Sequence, residues 1–389
     1  MTNSPPPNVK PARGKAPRIL AGGVDSFYVS VQVEWPTDRQ FRLLEALKTI
    51  AKASNSDQAA RLTLGGKTSD WLFAVKPHGK DGYEWLLTGR ELSMKIGNWS
   101  RPKQRPSVLS KFRAEALWLH GADAMVLRLR DIIESMGGEV ASVKPSRVDI
   151  CVDVLLPASE GYPELNRQFM TRAQDGAVRT QARKLISFVF GKDEMMGRIY
   201  DKALEIPRSG KTWMYDIWKI DAVPRGYRAI RVEFQMRREQ IKKLGCDSWE
   251  QTRERLPQLW RYSTTKWLRL VDNAKLHHTQ QSVVPWWDFI SNGFPGAQGV
   301  EPAVREKSYS AELKRHASLV IGAINSITAI LTNGEPIDTE CPLDMHSTCH
   351  SALDLALKLV RIDDLEFTKR VIAKQPRYNL SNPSFEEGD

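Results

Sequence analysis

Apolar and polar side chains alternate with a period of two in three runs near the middle of this chain. In Arg147-Val148-Asp149-Ile150-Cys151-Val152-Asp153-Val154 the four aliphatic residues share one face. Arg147, Asp149, Cys151 and Asp153 share the other. That alternation predicts a half-buried β-strand. Arg231, Glu233, Gln235 and Arg237 oppose Val232, Phe234 and Met236 in the same way. Between these runs lies Gly197-Arg198-Ile199-Tyr200-Asp201-Lys202, where Arg198, Tyr200 and Lys202 share a face if the segment is extended.

The remaining pattern mixes the two periods. Phe27, Val29, Val31 and Val33 predict a strand, and Phe41, Leu44, Leu47, Ile50 and Ala51 a helix over 38–53. Leu62 to Leu119 reads as β-rich, with Phe112, Ala114, Ala116 and Trp118 on one strand face. Val126, Leu129, Ile132, Ile133 and Met136 predict an amphipathic helix stopped by Gly137-Gly138. A helix over 162–183 and a strand over 185–190 follow. From Gln240 to Leu270 the pattern is helical, anchored by Trp249, Leu256, Trp260 and Trp267. Pro285, Gly293, Pro295, Gly296 and Gly299 mark a linker. Beyond it, Leu313, Ala317, Val320, Ile324, Ile327 and Leu331 recur at helical steps, and a second helix is expected over 351–374.

The fold class expected is α+β with a largely antiparallel sheet, followed by a small helical C-terminal region. The divisions expected are a disordered basic arm (1–18), a catalytic domain (19–272), a linker (273–300), helices (301–375) and a tail (376–389).

Composition adds a partner class. The 389 residues are 41% hydrophobic and 26% charged, as in ordinary globular proteins, but the formal net charge is +11. An excess of that size favours a polyanion such as nucleic acid. Cys151, Cys246, Cys341 and Cys349 are too few and scattered for a disulfide framework, so a reduced, intracellular setting is expected. No apolar run is long enough to span a membrane, and the N-terminus lacks a secretory apolar core.

If the three central strands are neighbours, their polar faces form one site. Asp149 and Glu233 would ligate a hard divalent cation, Mg²⁺ or Mn²⁺. Asp153 lies about 13 Å along the strand from Asp149 at 3.3 Å per residue, and would act as an outer group or ion-pair partner. Tyr200 would attack a phosphate, with Arg198 and Lys202 stabilising phenolate or phosphate charge. Arg147, Arg183, Lys184, Lys192, Arg231 and Arg237 would hold the DNA backbone. The same spacing also suits a plain cross-strand ladder of ion pairs without chemistry.

Taken in order, Arg-Val-Asp-Ile-Cys-Val-Asp, Arg-Ile-Tyr-Asp-Lys and Arg-Val-Glu-Phe-Gln-Met-Arg resemble the motifs of Rep_trans-type replication initiation factors. These are rolling-circle initiators of small plasmids and filamentous phages, with relatives acting as relaxases of mobile elements. The resemblance covers roughly Val24 to Leu270. It implies an α+β unit shaped like the HUH nucleases, although the chain has no His-hydrophobic-His motif. It implies that Tyr200 nicks one strand at an origin and keeps the 5′ phosphate, helped by a metal on Asp149 and Glu233. The implied partners are supercoiled or single-stranded origin DNA, a host helicase and a second copy of the chain. The implied location is the bacterial cytoplasm.

Trp213, Tyr215 and Trp218 form an insertion relative to plasmid members, read either as a stacking platform for single-stranded DNA or as core. Tyr215 and Tyr227 are alternative nucleophiles. Cys341, His346, Cys349 and His350 lack standard zinc spacing, and Leu64-Gly65-Gly66-Lys67-Thr68 lacks the phosphate-loop spacing.

Overall fold

A computed structural model describes residues 16–54, 61–65, 70–99, 105–160, 168–181, 184–277, 280–304, 309–332, 343–361 and 363–374. The chain is α+β, and it divides into two compact units, 1–305 and 306–389.

The first unit is built on an eleven-stranded antiparallel sheet. Its strands are β1 (Arg18–Glu34), β2 (Arg61–Gly65), β3 (Asp70–Val75), β4 (Trp85–Gly89), β5 (Leu92–Ile96), β6 (Val108–Phe112), β7 (Glu139–Pro157), β9 (Gly176–Gln181), β10 (Lys184–Phe190), β11 (Met195–Asp201) and β12 (Tyr227–Arg237). Their order across the sheet is β2-β3-β4-β5-β6-β1-β7-β12-β11-β10-β9. Short strands β8 (Phe169–Thr171) and β13 (Leu268–Leu270) pair separately. The long strands β1 and β7 lie side by side in the middle, so the two halves of the sheet join there.

One sheet face is apolar and carries the main core. Val29, Val31, Val148, Ile150, Val152, Val232 and Phe234 are all fully buried in it. Helices α1 (Arg39–Ala53), α3 (Ala122–Ser135), α6 (Arg238–Lys243), α7 (Trp249–Glu254), α8 (Leu256–Tyr262) and α9 (Pro285–Ser291) supply residues to that core. The other face is polar and only partly covered. At one end of its strands, α2 (Ala114–His120), α4 (Lys202–Ser209) and α5 (Met214–Trp218) close a second, smaller core. It contains Trp118, Cys151, Ile206, Met214 and Trp218.

Several elements depart from the sequence reading. Residues 114–120 are helical, because Gly121 at positive φ lets α2 turn directly into α3. The helix expected over 162–183 is replaced, among its described residues, by β8 and β9, whose partners β13 and β10 lie further along the chain. The linker expected over 273–300 contains α9. Its Trp286, Trp287 and Ile290, with Phe294 and Ala297, are buried in the main core, so the segment belongs to the first unit. The second unit has three helices among its described residues: α10 (Tyr309–Leu331), α11 (Met345–Val360) and α12 (Asp364–Lys374). Asp344 caps α11, and Arg361 in the left-handed region ends it, dividing the single helix expected over 351–374.

Candidate active site

Strand register brings the three sequence motifs together. β7 and β12 are adjacent, with Asp149 opposite Gln235, Cys151 opposite Glu233 and Asp153 opposite Arg231. β11 follows, with Arg198 opposite Glu233 and Tyr200 opposite Arg231. Opposed residues point to the same side of a sheet. The polar residues of all three runs therefore share the partly open face.

The centre is a chain of charged hydrogen bonds. The Tyr200 hydroxyl donates to Glu233 Oε2 at 3.0 Å. Arg198 Nη1 donates to Glu233 Oε1 at 2.6 Å, and its other Nη to the Gln235 side-chain oxygen at 3.1 Å. Glu233 is nearly buried, whereas Arg198 and Tyr200 are half-buried at the edge of the open surface. Burial, reinforced by the Glu233 charge and opposed by Arg231, pushes the Tyr200 phenol well above its usual range. The hydroxyl is thus held protonated with its proton aimed at a carboxylate.

Beside it lies a cavity of about 400 Å³. Arg179, Arg198, Tyr200, Asp201, Glu205 and Arg208 contribute to its wall. Asp201 caps α4 by accepting from the Leu204 amide, which fixes the turn leaving β11.

Asp149 sits under Arg147, which donates two hydrogen bonds to it, one from Nε at 2.7 Å. Burial pushes the Asp149 carboxyl up to about 6. Arg147 works against that shift and the nearby Glu233 charge adds to it. Asp149, Glu233 and the Gln235 amide share this face, with the two Asp149 oxygens taken by Arg147, Glu233 by Arg198 and Tyr200, and the Gln235 oxygen by Arg198. Among the described residues no group of three or more His, Cys, Asp or Glu side chains converges.

Deeper under α2, α4 and α5 lies a separate charged cluster. Arg231 is completely buried and grips Asp153 with Nε at 2.6 Å and Nη2 at 2.7 Å, while Nη1 reaches Asp25 at 2.6 Å. Trp218 Nε1 donates to Asp153 and Trp118 Nε1 to Asp25. Burial disfavours the Arg231 charge, but Asp153 and Asp25 more than offset this and hold its pKa above the usual arginine value. Arg231, expected to contact phosphate, is therefore an interior ion-pair residue that no phosphate reaches. Asp153 takes the ion-pair role, 65 residues from the tryptophan that bonds it.

The other expected residues are placed as follows. Lys202 lies 5.6 Å from the Tyr200 ring centre, but it is buried and its ammonium bonds Glu205. Burial and the Arg231 charge lower its pKa. Lys202 is thus a buried partner packed on the ring, because α4 folds its ammonium back towards Glu205. Lys192 is exposed and pairs with Asp175 at 3.1 Å, and Arg237 is exposed beside Arg147. Arg183 lies outside the described residues, and Lys184 is placed by its backbone pairing with Gln181. The insertion is core: Met214 and Trp218 are buried in the smaller core, with Trp213, Tyr215 and Tyr227 packed against it. Cys341 lies outside the described residues, as do three of the five residues over 64–68.

Sequence reasoning missed Asp25, which sits at a register shift between Val24 and Ser26 of β1. A bulge breaks the alternation that would have placed it. It also missed Tyr28, which stands opposite Arg147 on β1. No family model matches the chain, and no curated protein matches it. Among the described residues no helix is long and apolar enough to cross a membrane.

Proposed function

We propose that this chain is a tyrosine-using DNA strand transferase that starts rolling-circle replication, with an α+β unit shaped like the HUH nucleases. The observation that carries this reading is the Arg198–Glu233–Tyr200 chain on a partly open, arginine-lined face. Glu233 Oε2 takes the phenolic proton as the Tyr200 oxygen forms a bond to phosphorus. The bond from phosphorus to the 3′ oxygen of the preceding nucleotide breaks, and that oxygen leaves as a hydroxyl after taking up a proton. The 5′ phosphate stays on Tyr200. Attack by a 3′ hydroxyl reverses the step and reseals the strand without a nucleotide cofactor.

Arg198 and Arg179 neutralise phosphate charge beside the nucleophile, a role suited to electrostatic stabilisation of the transition state. Arg198 also keeps Glu233 oriented. Asp149 and Glu233 would hold a divalent cation, which when bound would polarise the scissile phosphate. Relaxase activity on a mobile element would use the same residues. Origin DNA, a host helicase and a second copy of the chain are the partners this reading implies.

The test is a denaturant-resistant protein–DNA adduct, formed with Mn²⁺ and supercoiled DNA carrying the replicon's own origin. Wild type should give the adduct, and Tyr200→Phe none. Glu233→Gln should slow it by about 10²–10⁴-fold, the usual size of a general-base contribution. An adduct persisting in Tyr200→Phe would remove this tyrosine from the mechanism. Nicking without any adduct would point to water as the nucleophile.

A further inference from the structure

The polar face does not end at the candidate active site. Register carries it across the middle of the sheet into the other half. Arg147 on β7 stands opposite Tyr28 on β1, Tyr28 opposite Lys111 on β6, and Lys111 opposite Ser93 on β5. Two residues along β5 from Ser93, Lys95 stands opposite Leu109 and Leu86. All of these except Arg147 line a second cavity of about 480 Å³. From Tyr28 on β1 to Leu86 on β4 it lies three to six strand steps from β11, or about 14–29 Å at 4.8 Å per step.

Its chemistry is one-sided. Lys80, Lys95, Lys111 and Arg113 line it, and no described carboxylate does. Lys95 bonds Asp81 outside the lining. Lys111 and Arg113 are exposed and have no ion-pair partner among the described residues. The floor is partly apolar, from Leu86, Leu109 and the Tyr28 ring, with serine and threonine hydroxyls around it. The Lys111 ammonium lies 5.3 Å from the Tyr28 ring centre and the Arg147 guanidinium 5.1 Å. Arg147 thus sits between the two regions, stacked on Tyr28 and bonded to Asp149, which stands opposite Gln235.

We propose that this cavity is a second nucleic-acid site, holding single-stranded DNA a few nucleotides away from the phosphate that Tyr200 attacks. Phosphates sit on Lys95, Lys111 and Arg113. An unstacked base or its sugar lies on the Tyr28, Leu86 and Leu109 floor. Duplex DNA offers its phosphates but keeps its bases stacked inside, so it leaves the apolar floor unused. A single strand uses both parts of the cavity. The path between the sites runs over Tyr28 and Arg147. The assignment of the nucleophile rests on the function proposed above, but binding at this cavity does not require that the chain cut DNA.

The test compares full-length wild type with Lys111→Ala/Arg113→Ala and with Tyr28→Ala. Binding of single-stranded oligonucleotides of about 6 and about 20 nucleotides is followed by fluorescence anisotropy at several salt concentrations. For the long oligonucleotide, the double variant should bind at least 10-fold more weakly. Its slope of log affinity against log salt should be shallower by about 1.4, or about 0.7 per lost phosphate contact. Tyr28→Ala should lose affinity with the slope unchanged, because it removes an uncharged contact. Lys111→Arg/Arg113→Lys keeps both charges and should bind as wild type, which separates lost contacts from lost folding. Unchanged affinity and slope in the double variant would overturn the proposal, as would a loss confined to duplex DNA. Adduct assays run in parallel separate the two readings. Weakened binding without any wild-type adduct leaves this site standing and removes strand transfer. A wild-type adduct with unchanged binding in the variants does the reverse.

Discussion

Arg198 and Arg231 look alike in sequence, each an arginine on the polar side of an alternating strand. Tertiary structure gives them opposite roles. Arg198 opens onto a cavity, whereas Arg231 is sealed between Asp153 and Asp25 by Trp118 and Trp218. Alternation assigns a residue to a face but not to the covered or uncovered part of it. The covering helices come from residues 114–120 and 202–218, far from some of the strands they seal. Tyr200 and Glu233 were legible for a different reason: their strands alternate cleanly, and antiparallel neighbours place their faces together. The buried cluster has a pH signature. Burial raises the Asp25 carboxyl, but Arg231, Lys211, Lys202 and the Trp118 hydrogen bond outweigh it and hold its pKa well below the carboxylate range. Asp153 shares the same guanidinium. A depressed folded-state pKa stabilises fully above the unfolded value of about 3.9, and the gain is lost as pH falls below it. Urea midpoints of wild type should therefore fall steeply from pH 5 to pH 3, and those of Asp25→Asn less steeply. Equal slopes would remove Asp25 from the acid transition. At neutral pH, Arg231→Met should cost about 3–5 kcal/mol, because two buried carboxylates lose their partner.

Among the elements, long strands with one buried face were the most legible. The edge strand β9 was not: its residues from Gly176 to Thr180 are exposed, so no burial alternation marks it. Its identity comes from pairing with β10. The segment around α9 shows the converse. Its prolines and glycines do mark turns, but turns at both ends of a seven-residue helix do not make the helix itself exposed. The informative residues were Trp286 and Trp287. Trp287 is fully buried, donates to the Thr264 carbonyl at 2.9 Å and meets the Phe169 ring edge-on. Gly22 on β1 also packs against this segment: a Cβ there would lie 3.0 Å from Pro295. Trp287→Ala should therefore cost about 3–5 kcal/mol in denaturant unfolding, as for other large core truncations. A tryptophan on an exposed linker would change stability by less than about 0.5 kcal/mol. A value in that lower range would return 285–300 to the surface.

On the scale of the molecule, charge separates the two units. Residues 306–389 hold nine basic and thirteen acidic side chains, a net −4, so residues 1–305 carry +15 against a chain total of +11. The positive charge thus lies in the first unit, whose sheet carries Arg147, Arg198 and Arg179. The net negative charge of the C-terminal unit argues against a DNA-reading role for its helices, because affinity for DNA begins with phosphate neutralisation by Lys and Arg. The exposed side chains of α10, α11 and α12 include many large apolar ones, among them Leu319, Val320, Leu357, Leu359, Phe367 and Ile372. Exposed apolar side chains of this kind suit protein contact better than a polyanion. A chain ending at Arg305 keeps the whole sheet, both cores and α9. It should remain folded, form the covalent adduct at the wild-type rate, and bind non-specific DNA at least as tightly as the full chain, since it sheds a net negative charge. Anisotropy titrations of the two chains on the same single strand decide the point. If the shortened chain folds but binds origin DNA many-fold more weakly, the C-terminal helices carry sequence reading despite their charge. If it binds as tightly, recognition of the origin belongs to the sheet.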